Sequence, residues 1–135
     1  MIKPVKSNIN VRISINLGGK LIVFYAEDLS IMQGDEGYTK FYIDNKGEYL
    51  SSYHLGHFDK LMKKCEMFKV HRSYFIKIAK VEEYNPADET ILMANKIIVP
   101  LAKTYKSKFI KELRKFLDET MILILSFGVN FLSFG

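Results

Sequence analysis

Apolar and polar residues alternate along the first part of the chain. Val11, Ile13 and Ile15 are each separated by one polar residue, which is the period of a strand with one buried face. Gly18-Gly19 is a two-residue turn signal, and the apolar run 21–25 returns as the second strand of a hairpin. Further strands are predicted at 29–34, 38–43 and 48–53, with turns at 34–37 and 44–47.

The second half of the chain shows shorter strands and two helical periods. Apolar residues recur at helical spacing over residues 55–64, which predicts a short amphipathic helix. Strand segments are predicted at 68–70, 75–78, 81–84, 90–93 and 96–99. A second helix starts at Lys103, with an apolar face formed by Tyr105, Phe109, Leu113, Phe116 and Leu117. Its other face is basic and carries Lys106, Lys108, Lys111, Arg114 and Lys115.

Composition indicates a single globular domain. The chain has 135 residues, enough for one core, and 48% hydrophobic with 26% charged residues is ordinary for such a domain. Cys65 is the only cysteine, so no intramolecular disulfide can form, and no apolar signal-peptide region follows Met1. We therefore expect a cytoplasmic protein, although a secreted protein without disulfides would show the same single cysteine.

The net charge of +5 is unevenly distributed. Residues 60–80 hold seven basic residues and one acidic residue, and residues 95–117 hold the same numbers. Residues 81–94, between these two blocks, hold four acids and no base. The basic blocks suit a polyanion-binding surface if they meet in space. The alternative is two separately solvated faces.

The segment 118–135 differs from the rest because it is mostly apolar from Met121 to Phe134. A bilayer span takes about 20 apolar residues, so no membrane span is predicted. The segment either completes the core as an extra strand or helix, or forms a contact surface for a protein partner, a second copy or a membrane. We accordingly divide the chain into a domain at 1–117 and a C-terminal tail at 118–135.

Catalytic motifs are missing from the sequence. It contains no nucleophile elbow, phosphate-binding loop or glycine-rich dinucleotide motif. His54 and His57 have a spacing that can bind a metal ion on a helix, but Asp59 is the only further ligand type near them. We therefore predict no enzymatic activity, no metal and no cofactor.

Three polar side chains, His71, Arg72 and Ser73, interrupt the strand pattern between two apolar segments. Polar groups at such a position are costly unless they reach solvent or a ligand. The three residues are therefore candidates for a binding loop. The alternatives are a surface ion pair for Arg72 and a structural hydrogen bond behind the loop for His71.

Three segments resemble, in the same order, parts of the LytTR DNA-binding domain. The most distinctive is FKVHRSYFIKIAKVEEYNP at 68–86, with its aromatic residue, His-Arg-Ser-Tyr and two strands. EDLSIMQGDEGYTKFYI at 27–43 is similar to the acidic pair, strand and Tyr-Thr-Lys that open the domain. KIIVPLAKTYKSKFIKEL at 96–113 is similar to its closing strand, proline and basic helix.

The resemblance implies a mainly β fold, with about ten strands in consecutive small antiparallel sheets and two short helices. It also implies a sequence-specific, bacterial-type transcription regulator, which binds duplex DNA through loops in the major groove. We expect a homodimer on repeated half-sites. The implied DNA-binding residues are Thr39, Lys40, His71, Arg72, Ser73, Lys103, Thr104 and Lys106.

The implied contacts differ in kind. Arg72 can donate two hydrogen bonds to guanine, whereas Lys40 and Ser73 can bind phosphate oxygens. Where the family usually has Ser and then Arg, this chain has Ala102 and Lys103. Lysine lacks the planar fork of arginine, so we expect Lys103 to contact phosphate. The receiver domain usual in the family is not in the sequence, so we expect no phosphorylation switch.

Two other functions fit the same sequence. One is a protein-interaction module of this fold, which docks a partner through the apolar tail and binds DNA weakly. The other is a single-stranded nucleic-acid binder, which stacks bases on Tyr38, Tyr42 or Tyr74.

Overall fold

The computed structural model of the protein describes residues 11–126. The described strands are β1 Arg12–Leu17, β2 Lys20–Tyr25, β3 Leu29–Asp35, β4 Tyr38–Ile43, β5 Gly47–Ser51, β6 Phe68–His71, β7 Tyr74–Ile76, β8 Val81–Asn85, β9 Thr90–Met93 and β10 Ile98–Pro100. The helices are α1 Asp59–Lys64 and α2 Lys103–Ser126. Short 3₁₀ turns lie at Ala26–Asp28, Leu55–Phe58 and Ile78–Lys80.

The strands form three antiparallel sheets. β1 and β2 make a two-stranded hairpin, and β8, β9 and β10 make a three-stranded sheet in the order β10-β9-β8. The central sheet has five strands in the order β5-β4-β3-β7-β6. These consecutive small sheets confirm the fold class predicted from the sequence.

The first hairpin depends on its two glycines. Gly18 and Gly19 have φ angles of 59° and 86°, a region that other residues rarely adopt. Two positive φ angles in a row match the twist of the flanking strands. The Gly19 N–H also donates to the side-chain oxygen of Asn16 at 3.0 Å. The turn is therefore determined by local sequence.

The two faces of the central sheet belong to two different core clusters. Side chains alternate between the faces of a strand, so neighbours such as Ile31 and Met32 enter opposite clusters. The first cluster packs the hairpin and α1 on one face, with Phe24, Phe41 and Met62 among its buried members. The second packs the β8–β10 sheet and α2 on the other face, with Ile91, Met93 and Phe109.

A buried lysine crosses the first cluster. The ammonium group of Lys77 donates to the carbonyl oxygens of Ala26 at 2.7 Å and Cys65 at 2.6 Å. Burial lowers the pKa of Lys77, because the charged form loses its hydration. The side chain therefore links three separate parts of the chain: the end of the hairpin, the end of α1 and the strand pair β6–β7.

Helix α2 is longer than the sequence suggested. It has 24 residues and continues across the predicted boundary between 117 and 118 as far as Ser126. Phe109 is fully buried, but Leu117 is 54% exposed, which differs from the prediction that both residues lie on the apolar face. Eight residues after Phe109 the helix has turned about 80° beyond two full turns, so Leu117 points away from the core.

Only part of the predicted tail is described. Residues 118–126 continue α2, whereas residues 127–135 lie outside the described part of the chain. Neither the contact-surface interpretation of the tail nor its role as a separate unit is therefore tested. Among the described residues, no helix is long and apolar enough to cross a membrane.

Candidate nucleic-acid interface

Arg72 lies at the tip of the tight turn between β6 and β7. Its side chain is exposed and forms no ion pair with any described residue. The neighbouring carbonyl oxygen of Ser73 accepts the N–H of Gly34 at 2.8 Å. This bond fixes the turn against the end of β3, so an unpaired guanidinium projects from a rigid support.

His71 stabilises the same turn from its base. Its Nδ1 accepts the backbone N–H of Ser73 at 3.1 Å, and its ring meets the Tyr74 ring edge-on at 5.6 Å. In the neutral ring with Nδ1 as acceptor, Nε2 carries the proton and remains a donor. The structural hydrogen bond considered from the sequence is therefore present, and one donor is left for a ligand.

Strand register brings Lys40 onto the same face as His71. Lys40 lies opposite Gln33, Gln33 opposite Tyr74, and Tyr74 opposite His71. Residues directly opposite on neighbouring strands point to the same side of a sheet. Three strand spacings of about 4.8 Å separate the ends of this row by roughly 14 Å. The first two predicted regions thus share one surface.

The ammonium group of Lys40 has a salt-bridge partner but remains partly exposed. It forms a salt bridge of 3.3 Å with Glu48 and lies 5.6 Å from the centre of the Tyr42 ring. The hydrogen bond with Glu48 raises the pKa of Lys40, so the side chain stays charged at neutral pH. Exposed pairs of this kind contribute little stability, and a phosphate can therefore replace the Glu48 carboxylate at small cost.

Thr39 differs from the expectation of a direct contact. Its side chain is fully buried, and its hydroxyl donates to the carbonyl oxygen of Tyr53 at 2.8 Å. Successive strand residues point to opposite faces, so Thr39 must face the first core cluster when Lys40 faces the other side. In this conformation Thr39 offers no surface to DNA, and it fixes the chain that follows β5.

The third predicted region starts beside β6. The N–H of Ala102 donates to the carbonyl oxygen of Val70 at 2.9 Å. Lys103 and Thr104 are exposed at the first turn of α2, and Lys106 is partly exposed. The two basic blocks of the sequence therefore meet where α2 begins.

Not every residue of these blocks belongs to the surface. Lys77 is buried, Lys80 pairs with Asp44 at 3.0 Å, and Lys96 pairs with Glu82 at 2.6 Å. On α2 the outward-facing basic side chains form no ion pair with described residues; they are Lys103, Lys108, Lys111, Arg114 and Lys115. Basic side chains without an ion pair to a described residue thus form a row on α2 and include Arg72.

Sequence reasoning missed Gln33 as a candidate. The Tyr42 hydroxyl donates to its Oε1 at 3.0 Å, which fixes the amide and leaves the NH₂ group as a donor. Gln33 lies between Lys40 and Tyr74 in the row across the sheet. Burial raises the pKa of the neighbouring Tyr74 hydroxyl. No sequence signal distinguishes Gln33 from other strand residues, because its position depends on the register of three strands.

The fold and this surface together define a β-rich domain with one basic face. A family model described as the LytTr DNA-binding domain matches residues 19–117. The chain therefore belongs to the LytTR DNA-binding domain family, as the resemblance had indicated.

A solved structure supports the same fold. The chain is similar to the LytTr DNA-binding domain of a putative methyl-accepting/DNA response regulator from Bacillus cereus, with 19% sequence identity and a TM-score of 0.60. The similarity covers 74% of this chain and 94% of that one. At 19% sequence identity, this structural similarity shows only that the two chains share a fold. No curated protein matches the chain.

Proposed function

We propose that the chain is a transcription regulator that binds duplex DNA in a sequence-specific manner. The observation that carries the proposal is the position of Arg72. Its guanidinium forms no ion pair within residues 11–126, its turn is held by the bond from Gly34, and the basic start of α2 lies beside it. A guanidinium in the major groove can donate two hydrogen bonds to guanine, the commonest specific contact in such complexes.

The other candidate residues have distinct proposed roles. Lys40, Lys103 and Lys106 would bind phosphates, and Thr104 and Ser73 can donate to phosphate oxygens through their hydroxyls. His71 would support the Arg72 turn and offer its Nε2–H to the DNA. Thr39 would act indirectly, through the strand that positions Lys40.

Acidic residues restrict how DNA can approach. Asp35 ends β3 and Glu36 follows in the turn before β4, and both are exposed. This turn lies beside Ser73, through the bond from Gly34. Because carboxylates repel phosphates, we propose that the DNA backbone runs from the Arg72 turn towards Lys103 rather than over the β3–β4 turn.

Duplex DNA fits this surface better than a single strand. Stacking requires open aromatic faces, but Tyr42 and Tyr74 are partly buried, and Tyr42 is hydrogen-bonded to Gln33. Tyr38, 49% exposed, is the open ring of the three candidates. A protein of this function would act in the bacterial cytoplasm, without enzymatic activity of its own.

Selection from a random duplex pool tests the proposal. The full chain should enrich a defined sequence, and unlabelled duplex of that sequence should compete better than either of its single strands. Enrichment of no sequence would contradict sequence-specific binding. Stronger competition by a single strand would favour the stacking alternative.

A further inference from the structure

The outer face of β2 exposes three apolar side chains in a row. Leu21 is 63% exposed, Val23 38% and Tyr25 43%. They alternate with Ile22 and Phe24, which pack with the first core cluster. A contiguous exposed apolar surface of this kind marks an interaction site more often than an isolated residue does.

The backbone of β2 is also unpaired along its second edge. A two-residue turn closes on a hydrogen-bonded pair, here Leu17 and Lys20, and hydrogen-bonded and non-bonded pairs alternate from there. The N–H and C=O groups of Leu21, Val23 and Tyr25 therefore point away from β1. Within the described part of the chain, no backbone group outside the hairpin bonds to these three residues.

The middle of β2 carries no residue that protects this edge. Edge strands usually carry charges, prolines or bulges that prevent another strand from pairing with them. The segment from Leu21 to Tyr25 reads LIVFY, and its register with β1 runs without a shift. Between Lys20 and Glu27 the edge is therefore regular, uncharged and able to accept another strand.

We infer that β2 pairs with β2 of a second copy of this chain, antiparallel and centred on Val23. In this register Val23 lies opposite Val23, and Leu21 lies opposite Tyr25 of the second copy. The residues whose backbone groups point outward then form the hydrogen-bonded pairs. The two hairpins become one continuous sheet with two-fold symmetry, and the exposed apolar side chains contact each other across the strands.

Charge favours the antiparallel orientation. Lys20 stands at one end of β2, and Glu27 follows just beyond the other end. Antiparallel pairing brings Lys20 near Glu27 of the second copy, whereas parallel pairing would place Lys20 beside Lys20. Neither residue is in an ion pair with a described residue of its own chain.

This interface leaves the proposed DNA surface open. The hairpin packs on the first core cluster, whereas α2 packs on the second, at the other face of the central sheet. A dimer through β2 would therefore present two DNA surfaces. The interface itself does not depend on DNA binding, because its evidence lies in the hairpin alone.

Sedimentation of the full chain without DNA provides the first test. The parent protein should form a dimer that dissociates on dilution. The substitution Val23→Lys should raise the dimer dissociation constant by about 100-fold or more, because two like charges then meet at the symmetry axis. The control Ile98→Lys changes a 63% exposed residue of β10 and should leave the dimer intact.

Mixing two variants provides a sharper test. Val23→Lys and Val23→Glu should each be monomeric alone, but together they should form a one-to-one heterodimer. Only a contact of residue 23 with itself predicts this complementation, since general destabilisation would not be repaired by mixing. If Val23→Lys does not fold, Leu21→Glu mixed with Leu21→Lys and with Tyr25→Lys replaces it, and only the Tyr25→Lys mixture should associate.

Three results would overturn the inference. They are a parent chain that is monomeric at every concentration, a dimer that Val23→Lys leaves unchanged, and a mixture of Val23→Lys and Val23→Glu that stays monomeric. Since all three are measured without DNA, they leave the proposed DNA-binding function untouched.

Discussion

The backbone N–H of Ala102 donates to the carbonyl oxygen of Val70 at 2.9 Å, which fixes the first turn of α2 beside the strand that carries His71. Through this bond Lys103 becomes a neighbour of the Arg72 turn, although the acidic segment 81–94 separates the two basic blocks in sequence. The proposed interface therefore includes a backbone contact between β6 and the residue that precedes α2, and the packing of Val70 with Phe109 in the second core cluster supports it.

Replacing Arg72 should change sequence preference. Arg72→Ala should cost about 1–3 kcal/mol on the selected site and relax the preference at one base pair. Arg72→Lys should not restore it, because an ammonium group lacks the guanidinium fork. Affinities for the site and its single-base variants, at one salt concentration, test this. If Arg72→Lys retains the parent preference, Arg72 contacts phosphate only.

The basic face of α2 should determine salt dependence. Each phosphate contact adds about 0.9 to the slope of log affinity against log salt. Replacing both Lys106 and Lys108 with Ala should therefore lower the slope, and binding to all sequences should weaken similarly. Lys60→Ala is the control, because Lys60 is exposed on α1, at the other face of the central sheet. An unchanged slope in the double variant would show that this face of α2 does not contact DNA.

Thr39 should affect stability more than sequence choice. Thr39→Val keeps the shape of the side chain but removes the donor to Tyr53, so it should lower the free energy of unfolding by about 1 kcal/mol. Thr104→Val, at an exposed position, should leave stability unchanged and weaken DNA binding. Denaturant unfolding and titration with DNA measure the two effects. A lost base preference in Thr39→Val would indicate a direct contact instead.

The buried ammonium group of Lys77 should matter for stability. Lys77→Ala removes a buried side chain and the donor to Ala26 and Cys65, so it should lower the free energy of unfolding by about 2–4 kcal/mol. Lys77→Met fills the space and should cost less. Denaturant unfolding of both variants beside the parent chain measures this. Equal losses in the two variants would show that packing contributes nothing.

The contribution of Lys77 to the free energy of unfolding should change with pH in a defined direction. Burial lowers its pKa in the folded chain below the usual 10.5, so the unfolded chain binds more protons between the two values. The stability of the parent relative to Lys77→Met should therefore increase as pH rises towards 10.5. Both chains contain the same tyrosines, so the ionisation of these tyrosines cancels in the difference between the two stabilities. A decrease over this range would contradict the burial of a charged lysine.

The sequence by itself determined the strands, the first hairpin and the start of α2. These features depend on local chemistry: side chains alternate with a period of two along a strand, Gly18 and Gly19 allow positive φ angles, and apolar residues after Lys103 recur at helical spacing. Local patterns of this kind indicate which residues share a face of one element. They do not indicate which elements lie side by side.

Only the tertiary structure decided where those faces meet. Strand register placed Gln33 between Lys40 and Tyr74, and the same alternation that exposes Lys40 buries Thr39. Lys77 can be buried because its ammonium group donates hydrogen bonds to two backbone carbonyl oxygens from distant segments. The sequence pattern alone would have placed this lysine in solvent. Register and long-range hydrogen bonds join residues that are far apart in sequence, so no window of the sequence contains them.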